Sequence, residues 1–401
     1  MLSDVQIDNL IQPFVDRQQM LESYVINHIA KSIKEIGTIS KSDIYKLQQL
    51  YKIGSNVRDI NHEIAKVANI QEKSVKSMIK TVAVKNYMDA KPYYDYRRRN
   101  QIPPSQNEKL QNIIKITGEQ TANTFKNIAN SKATGFYIRD LKNPTQLTFQ
   151  TVADTYQSAV DEAIQAVKTG VLDFDTAMRR TLKQLNDSGM RRIYWDSGYT
   201  RRLDSTVRMN VLGGLRQLNQ QVQRQIAEEV HADGIEISAH SFSAPDHEPV
   251  QGHIFTLEEF DKLQNDMAFE DTYGNKFMPI RRPIGEWNCK HFTQAVIIDA
   301  HTPTWSLDDL KDISKRNEKG YTTKDGKHYT MYECTQVQRS YETAIRYAKE
   351  GYIMAKEAGN EKLMEYYKSR VSSLSAEYKQ FSKDCGIKTQ TKRASMSGYY
   401  A

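Results

Sequence analysis

Seven apolar residues, Leu203, Val207, Val211, Leu215, Leu218, Val222 and Ile226, recur at steps of four, four, four, three, four and four. Only a helix turning every 3.6 residues brings such positions onto one stripe. The chain is therefore expected to hold a helix over about 200–230 with that face committed to a core. Arg202, Arg216, Gln220 and Arg224 fall on its other faces. Gly213 and Gly214 sit in mid-helix, where each glycine costs about 1 kcal/mol relative to alanine. A close helix crossing or a kink is the expected reason.

The residues before this helix carry the same period. Leu10, Ile11, Phe14, Met20, Leu21, Tyr24, Val25 and His28 predict a first long helix, punctuated by Gly37 and Ser40. Further helices fit 41–52, 56–70, 71–88, 106–131, 150–168 and 173–187. Pro103-Pro104 separates the fourth of these from what precedes it, since proline cannot donate to a helix ladder. The stretch from Ala133 to Thr148, with Gly135 and Pro144, has no helical period and reads as a connector or short strand pair.

After Gly234 the pattern changes. Ile235 to His240 alternates apolar and polar, as a strand does; a short helix fits 256–268, a second strand fits Phe292 to Ile298, and Lys319 to Lys327 reads as a hairpin. From about 335 to 384 the helical period returns, split by Gly359-Asn360 into two helices that can pair. The tail from Thr389 to Ala401 is polar and small and is expected to be disordered. The fold class is thus mainly α: a long helical N-terminal half, a small α/β histidine-rich module and a C-terminal helical hairpin. The expected regions are 1–132 (helical), 133–230 (connector and long helices), 231–334 (histidine-rich module) and 335–401 (helical pair and tail).

Charge marks the same module. The net charge of +7 divides into +9 over residues 1–230, −7 over 231–300 and +5 over 301–401, and seven of the nine histidines lie between His231 and His328. A reversal of charge and a concentration of histidine in one window indicate a separate unit. Other classes fall away. No apolar run approaches the ~20 residues of a membrane span. The first residues, MLSDVQIDNL, lack a basic segment followed by an apolar core, so no secretory leader is expected. Cys289, Cys334 and Cys385 are too few and too scattered for a disulfide framework.

Two stretches of the module carry candidate chemistry: Ser238 to His253, with His240, Asp246, His247 and Gln251, and Trp287-Asn288-Cys289-Lys290-His291. Imidazole and thiolate suit Zn²⁺, which makes His240, His247, Cys289 and His291 a candidate metal set. The spacing has neither a Cys-x-x-Cys pair nor a His-Glu-x-x-His helix, so buried hydrogen bonds tying loops together are the favoured reading, and no cofactor is required. A Cys289 nucleophile with a histidine base, or a His-Asn-His nuclease arrangement, ranks behind both. No catalytic residue is assigned. A second cluster, Lys91 with Arg97, Arg98 and Arg99, interleaves cations with Tyr93, Tyr94 and Tyr96. Such a surface can meet phosphates and stack bases, although a solvated basic turn or a dock for an acidic protein is the commoner meaning of a charge run.

The sequence resembles the minor capsid protein 2 family of tailed phages. The resemblance rests on His240-x4-Pro245-x-His247-x3-Gln251-Gly252, on Asn288-Cys289-Lys290-His291, where Lys290 replaces an expected arginine, and on Gln336-x-Gln338-Arg339-x-x-Glu342-x-x-Ile345-Arg346-x-x-Lys349. The helix start Arg201-Arg202-Leu203-Asp204 to Arg208 is similar too. Together these span about 200–395. The resemblance implies a low-copy structural protein of the virion, made in the host cytoplasm and placed at the portal vertex. Its implied partners are the portal protein and other head proteins, with packaged DNA as a further contact, and its implied role is in head assembly, DNA packaging or ejection. A metal-dependent hydrolase, nuclease or effector centred on the His/Cys module is the alternative.

Overall fold

A computed structural model describes residues 4–37, 55–129, 132–139, 146–169, 174–194, 199–396 apart from 266, 272–274, 281 and 287–288, and 398–399. The chain is mainly α and divides into two compact units, each built from three stretches: 1–12, 72–123 and 208–337 in one, and 13–71, 124–207 and 338–401 in the other. Among the described residues no helix is long and apolar enough to cross a membrane. The three cysteines are free and buried.

The apolar stripe from Leu203 to Ile226 lies on the Leu203–Val230 helix. Leu203, Val207, Val211, Leu215, Leu218, Val222 and Ile226 are all fully buried, so the stripe is core, as favoured. In the first unit this helix crosses the Glu108–Ile128 helix, and the paired glycines are explained by one of them. A Cβ on Gly214 would lie 2.2 Å from Thr121 Oγ1, whereas one on Gly213 would meet nothing within 4 Å. Thr117 Oγ1 donates to Gln221 at 3.2 Å and Gln217 to Gln120 at 2.9 Å on either side of the crossing. Gly214→Val is expected to cost about 1–3 kcal/mol by overpacking and Gly213→Ala to stabilise slightly, as read from urea denaturation of the two variants.

The rest of that unit is organised by a three-stranded antiparallel sheet in the order Ile254–Thr256, Gly234–Ile237, Thr293–Val296. The Thr293–Val296 edge is covered by the long helix. Asn219 Oδ1 accepts from the Thr293 N–H at 3.0 Å and Gln223 Oε1 accepts from Ala295 N–H at 2.9 Å. Polar side chains that would read as solvated thus stand in for the missing neighbour strand. The Leu257–Gln264 and Leu307–Lys319 helices each start from a capping box, Thr256 with Glu259 and Ser306 with Asp309. The second of these helices was not foreseen, although Ser306-x-x-Asp309 is its signature.

In the second unit the expected strand pair exists as Thr134–Arg139 and Leu147–Thr151. It extends to a four-stranded sheet through Arg191–Tyr194 and Tyr199–Arg202, which the sequence reading missed. The Gly359 split gives the Met331–Ala358 and Glu361–Asp384 helices. Two expectations need correction. The separate helices at 56–70 and 71–88 are one helix, Ser55–Met88, because no glycine or proline interrupts that stretch. The described stretch of the tail at 389–396 is not disordered: Lys349 Nζ donates to Ala394 O at 2.7 Å, Arg346 Nη1 to Arg393 O at 2.6 Å, and Ala394 and Met396 are buried. Its small residues allow close approach, and its carbonyls serve the cations of the helix beneath. The expected helix at 41–52 lies outside the described residues.

Candidate functional site

Antiparallel pairing brings the two chemical stretches together. Ile237 is opposite Thr293, so the loop leaving one strand at 238 begins beside the segment that enters the other strand from 289 to 292. Ser238 N–H donates to Phe292 O at 2.8 Å and Phe292 N–H donates to Ser238 Oγ at 2.9 Å, carrying the pairing past the sheet end. The returning loop is tightly wound: His247 and Glu248 N–H groups both reach Ala244 O at 3.0 Å, and Gln251 N–H reaches His247 O at 3.1 Å. Gly252 closes it at φ +73°, where a Cβ would also strike Leu310 at 2.4 Å.

The result is a buried cluster. One ligand-type atom from each of His247, Cys289 and His291 lies within 4.8 Å of the other two, and the three residues are 1%, 3% and 2% exposed. Cys289 Sγ is 3.4 Å from His291 Nδ1 and accepts backbone N–H groups from Gly285 at 3.3 Å and His291 at 3.4 Å. His247 Nε2 is 2.7 Å from the Arg282 carbonyl. Arg282 is itself clamped by Asp246, Nε to Oδ2 at 2.7 Å and Nη2 to Oδ1 at 2.8 Å, a bidentate pair that fixes the carbonyl. His291 Nε2 faces Gln251 Oε1 at 3.3 Å and Ser243 Oγ at 3.4 Å. His240 stacks on His291 with ring centroids 4.5 Å apart rather than joining the three. The four candidate residues therefore converge, with His240 as a lid on the ring of one ligand-type histidine.

Electrostatics follow from burial and neighbours. Burial alone would push the Cys289 thiol up, but His247, the Arg216 guanidinium and the Gly285 N–H outweigh it and hold the thiol below its usual range. Burial works against a charge on His247, yet Cys289, the Arg282 carbonyl and Asp246 raise it. Burial, then His240 and His247, push His291 well down, so that ring is neutral. A cysteine beside a histidine can in principle act as a nucleophile with its base. Here Cys289 is 3% exposed. Sequence reasoning found the histidines and the cysteine but not the supporting roles of Gln251, Asp246 and Arg282; only the folded loop reveals which oxygen faces which imidazole.

The basic cluster is built differently. Lys91 begins the short Lys91–Tyr96 helix and pairs with Asp95. Arg98 turns the chain at φ +53°. Arg99 Nη1 then donates to Glu229 O at 2.7 Å and Arg97 Nη2 to His231 O at 3.2 Å. Both guanidiniums thus cap the C-terminal end of the Leu203–Val230 helix, where unpaired carbonyls and the helix dipole favour cations. All four basic residues remain exposed. Tyr94 is fully buried and Tyr93 Oη bonds His301 Nδ1 at 2.8 Å, which leaves Tyr96, 55% exposed, as the aromatic open for stacking.

The remaining motif stretches meet in the second unit. Arg202, which ends the Tyr199–Arg202 strand, and Asp204, in the first turn of the long helix, face Arg346 and Glu350. Arg346 Nη2 lies 3.3 Å from Asp204, and Arg202 Nη2 lies 3.2 Å from Glu350 and 2.8 Å from Glu22. The Arg202 guanidinium also lies over the Tyr347 ring, 3.5 Å from its centroid. Glu22, Arg202, Asp204 and Glu350 are all buried. No curated protein and no solved structure matches this chain. A family model described as phage minor capsid protein 2 matches residues 2–383. That match takes in all four motif stretches and nearly all of both units, and by it the chain belongs to the phage minor capsid protein 2 family, structural proteins of the phage head.

Proposed function

We propose that this head protein works at the portal vertex, as a low-copy component acting in head assembly, DNA packaging or ejection, without enzymatic turnover of its own. The observation that carries the reading is the family match over residues 2–383. Burial of the Cys289–His247 pair supports a non-enzymatic role, since a nucleophile needs access to its substrate. A surface for the portal protein or a neighbouring head protein is supplied by the stretch from Met88 to Ile116. There Met88, Tyr96, Ile102 and Ile116 are 45%, 55%, 48% and 50% exposed, beside exposed Lys91, Arg97, Arg98 and Arg99. Cations flanked by apolar side chains suit an acidic protein partner with an apolar centre.

Because each compact unit draws on three separate stretches, removing either half of the chain would dismantle both, and point substitutions are the sound test. Co-expression of the full chain with the portal protein should give a complex that survives purification. The complex should be lost on Ile102→Asp with Ile116→Asp, while the variant keeps its helical circular dichroism. A portal protein that never co-purifies with the intact chain would refute the docking. For DNA, replacing Lys91, Arg97, Arg98 and Arg99 by alanine should weaken binding and flatten its salt dependence, each lost phosphate contact lowering the log–log slope by about 0.9. An unchanged slope removes this cluster from the DNA surface.

A further inference from the structure

We propose that His247, Cys289 and His291 bind one zinc ion, through Nδ1 of each imidazole and Sγ of the cysteine, and that the ion cross-links the loop after the central strand to the segment entering its neighbour. The argument starts from protons. Gln251 Oε1 accepts the His240 backbone N–H at 3.1 Å, and a backbone N–H can only donate. That contact fixes the oxygen end of the amide toward His291 Nε2. His291 Nε2 must then carry the hydrogen, which leaves a lone pair on Nδ1, 3.4 Å from Cys289 Sγ. The Arg282 carbonyl can only accept, so His247 Nε2 carries its hydrogen as well. By elimination, Nδ1 is the nitrogen that His247 can offer to the group, in which one ligand-type atom of each residue lies within 4.8 Å of the others.

Two inward nitrogens and a sulfur therefore share one buried space. A single proton can bridge one nitrogen to the sulfur; the other lone pair then faces the sulfur with nothing between them. A dication satisfies all three at once. The sulfur-to-His291 separation suits it: tetrahedral zinc with bonds of about 2.3 Å to sulfur and 2.0–2.1 Å to nitrogen places those atoms about 3.6 Å apart. The Sγ to Nδ1 distance here is 3.4 Å. Each histidine also donates its far N–H to an oxygen, the outer-shell arrangement that orients imidazole ligands and raises their basicity. Two backbone N–H groups point at the sulfur, as favours a thiolate. A mixed imidazole and thiolate set selects zinc over the hard cations.

The test uses the purified full chain under reducing conditions, without chelator. Wild-type protein should hold about one zinc per chain by mass spectrometry of the metal, and cobalt exchanged into it should show thiolate-to-cobalt charge-transfer absorption. Cys289→Ser should lose the metal and that absorption at least tenfold, whereas Cys334→Ser and Cys385→Ser should keep both. Gln251→Leu, which touches no metal, should weaken zinc affinity about 10–100-fold. That variant keeps the proposal open to refutation even if Cys289→Ser fails to fold. Wild-type chain that takes up neither zinc nor cobalt overturns the proposal. So does metal that stays bound in both Cys289→Ser and His247→Ala.

Discussion

Arg202→Ala is expected to destabilise the second unit by about 3–5 kcal/mol, the range for removing one partner of a buried ion pair and leaving the others uncompensated. Two guanidiniums, Arg202 and Arg346, face three carboxyls, Glu22, Asp204 and Glu350, so the cluster is neutral only if one carboxyl holds a proton. Glu350 is that group: burial and then Glu22 push it well above the carboxylate range despite Arg202. Asp204 goes the other way. Burial would raise it, but Arg346 and Arg202 hold it below its usual value. The Tyr347 ring completes the surround.

The pH dependence has a definite sign. A carboxyl whose folded pKa lies above its unfolded one contributes stability that is fully present below the unfolded value, and that contribution is lost as pH rises through the folded value. Glu350→Gln keeps the shape without the charge. It should leave stability at neutral pH equal to or above that of the wild type, and it should flatten the decline on the alkaline side of the carboxylate range. Urea denaturation of the three proteins across pH 4–8 reads both effects. If Glu350→Gln were as damaging as Arg202→Ala, the buried proton would be misassigned.

Tyr94→Ala is the second large expected loss, about 3–5 kcal/mol for emptying a fully buried aromatic site. Tyr94 is 1% exposed. Its hydroxyl donates to Glu229 beside that of Tyr87, which reaches the same carboxylate at 3.0 Å. Gln225 and Asn107 add donors at 2.6 and 3.3 Å. Burial would raise Glu229, but these hydrogen bonds hold it below the usual range, so its share of stability is present at neutral pH and disappears on acidification. Tyr94→Phe removes one hydrogen bond to a charged group, worth about 1.5–3 kcal/mol. It should narrow that acid-side loss, opposite in sense to Glu350→Gln. Equilibrium unfolding with tryptophan fluorescence distinguishes the two variants, and equal stability of Tyr94→Ala and wild type would contradict the packing described.

What could be read from the amino acids, and what could not, follows physical lines. The Leu203 to Ile226 stripe, the crossing at Gly214 and the split at Gly359 were legible because each depends on residues a few positions apart. Convergence of His247, Cys289 and His291 was also legible, since both stretches flank strands of one small module. The Glu22–Arg202–Glu350 cluster was not. Its members lie far apart in the chain, and a charge reads as solvent-facing until its partner is known. One local hint existed: Glu350 stands four residues before Met354 and eight before Ala358, both buried, so a carboxyl falls in line with two core positions. The docking of the tail was hidden for the same reason, because Ala394 gains a core only when folding places it against Ile345 and Tyr378, which sit on two different helices. Tyr94 looked like part of a nucleic-acid surface; it is instead the anchor that holds the basic cluster against the end of the long helix.

Family membership makes this a structural head protein, and the portal vertex is the sharper claim. Its most direct test is to locate the chain in purified phage particles with a gold-labelled antibody or an engineered tag. The account predicts label at a single vertex, at a copy number far below that of the major shell protein. Label spread over the whole shell, or particles that lack the protein altogether, would contradict it.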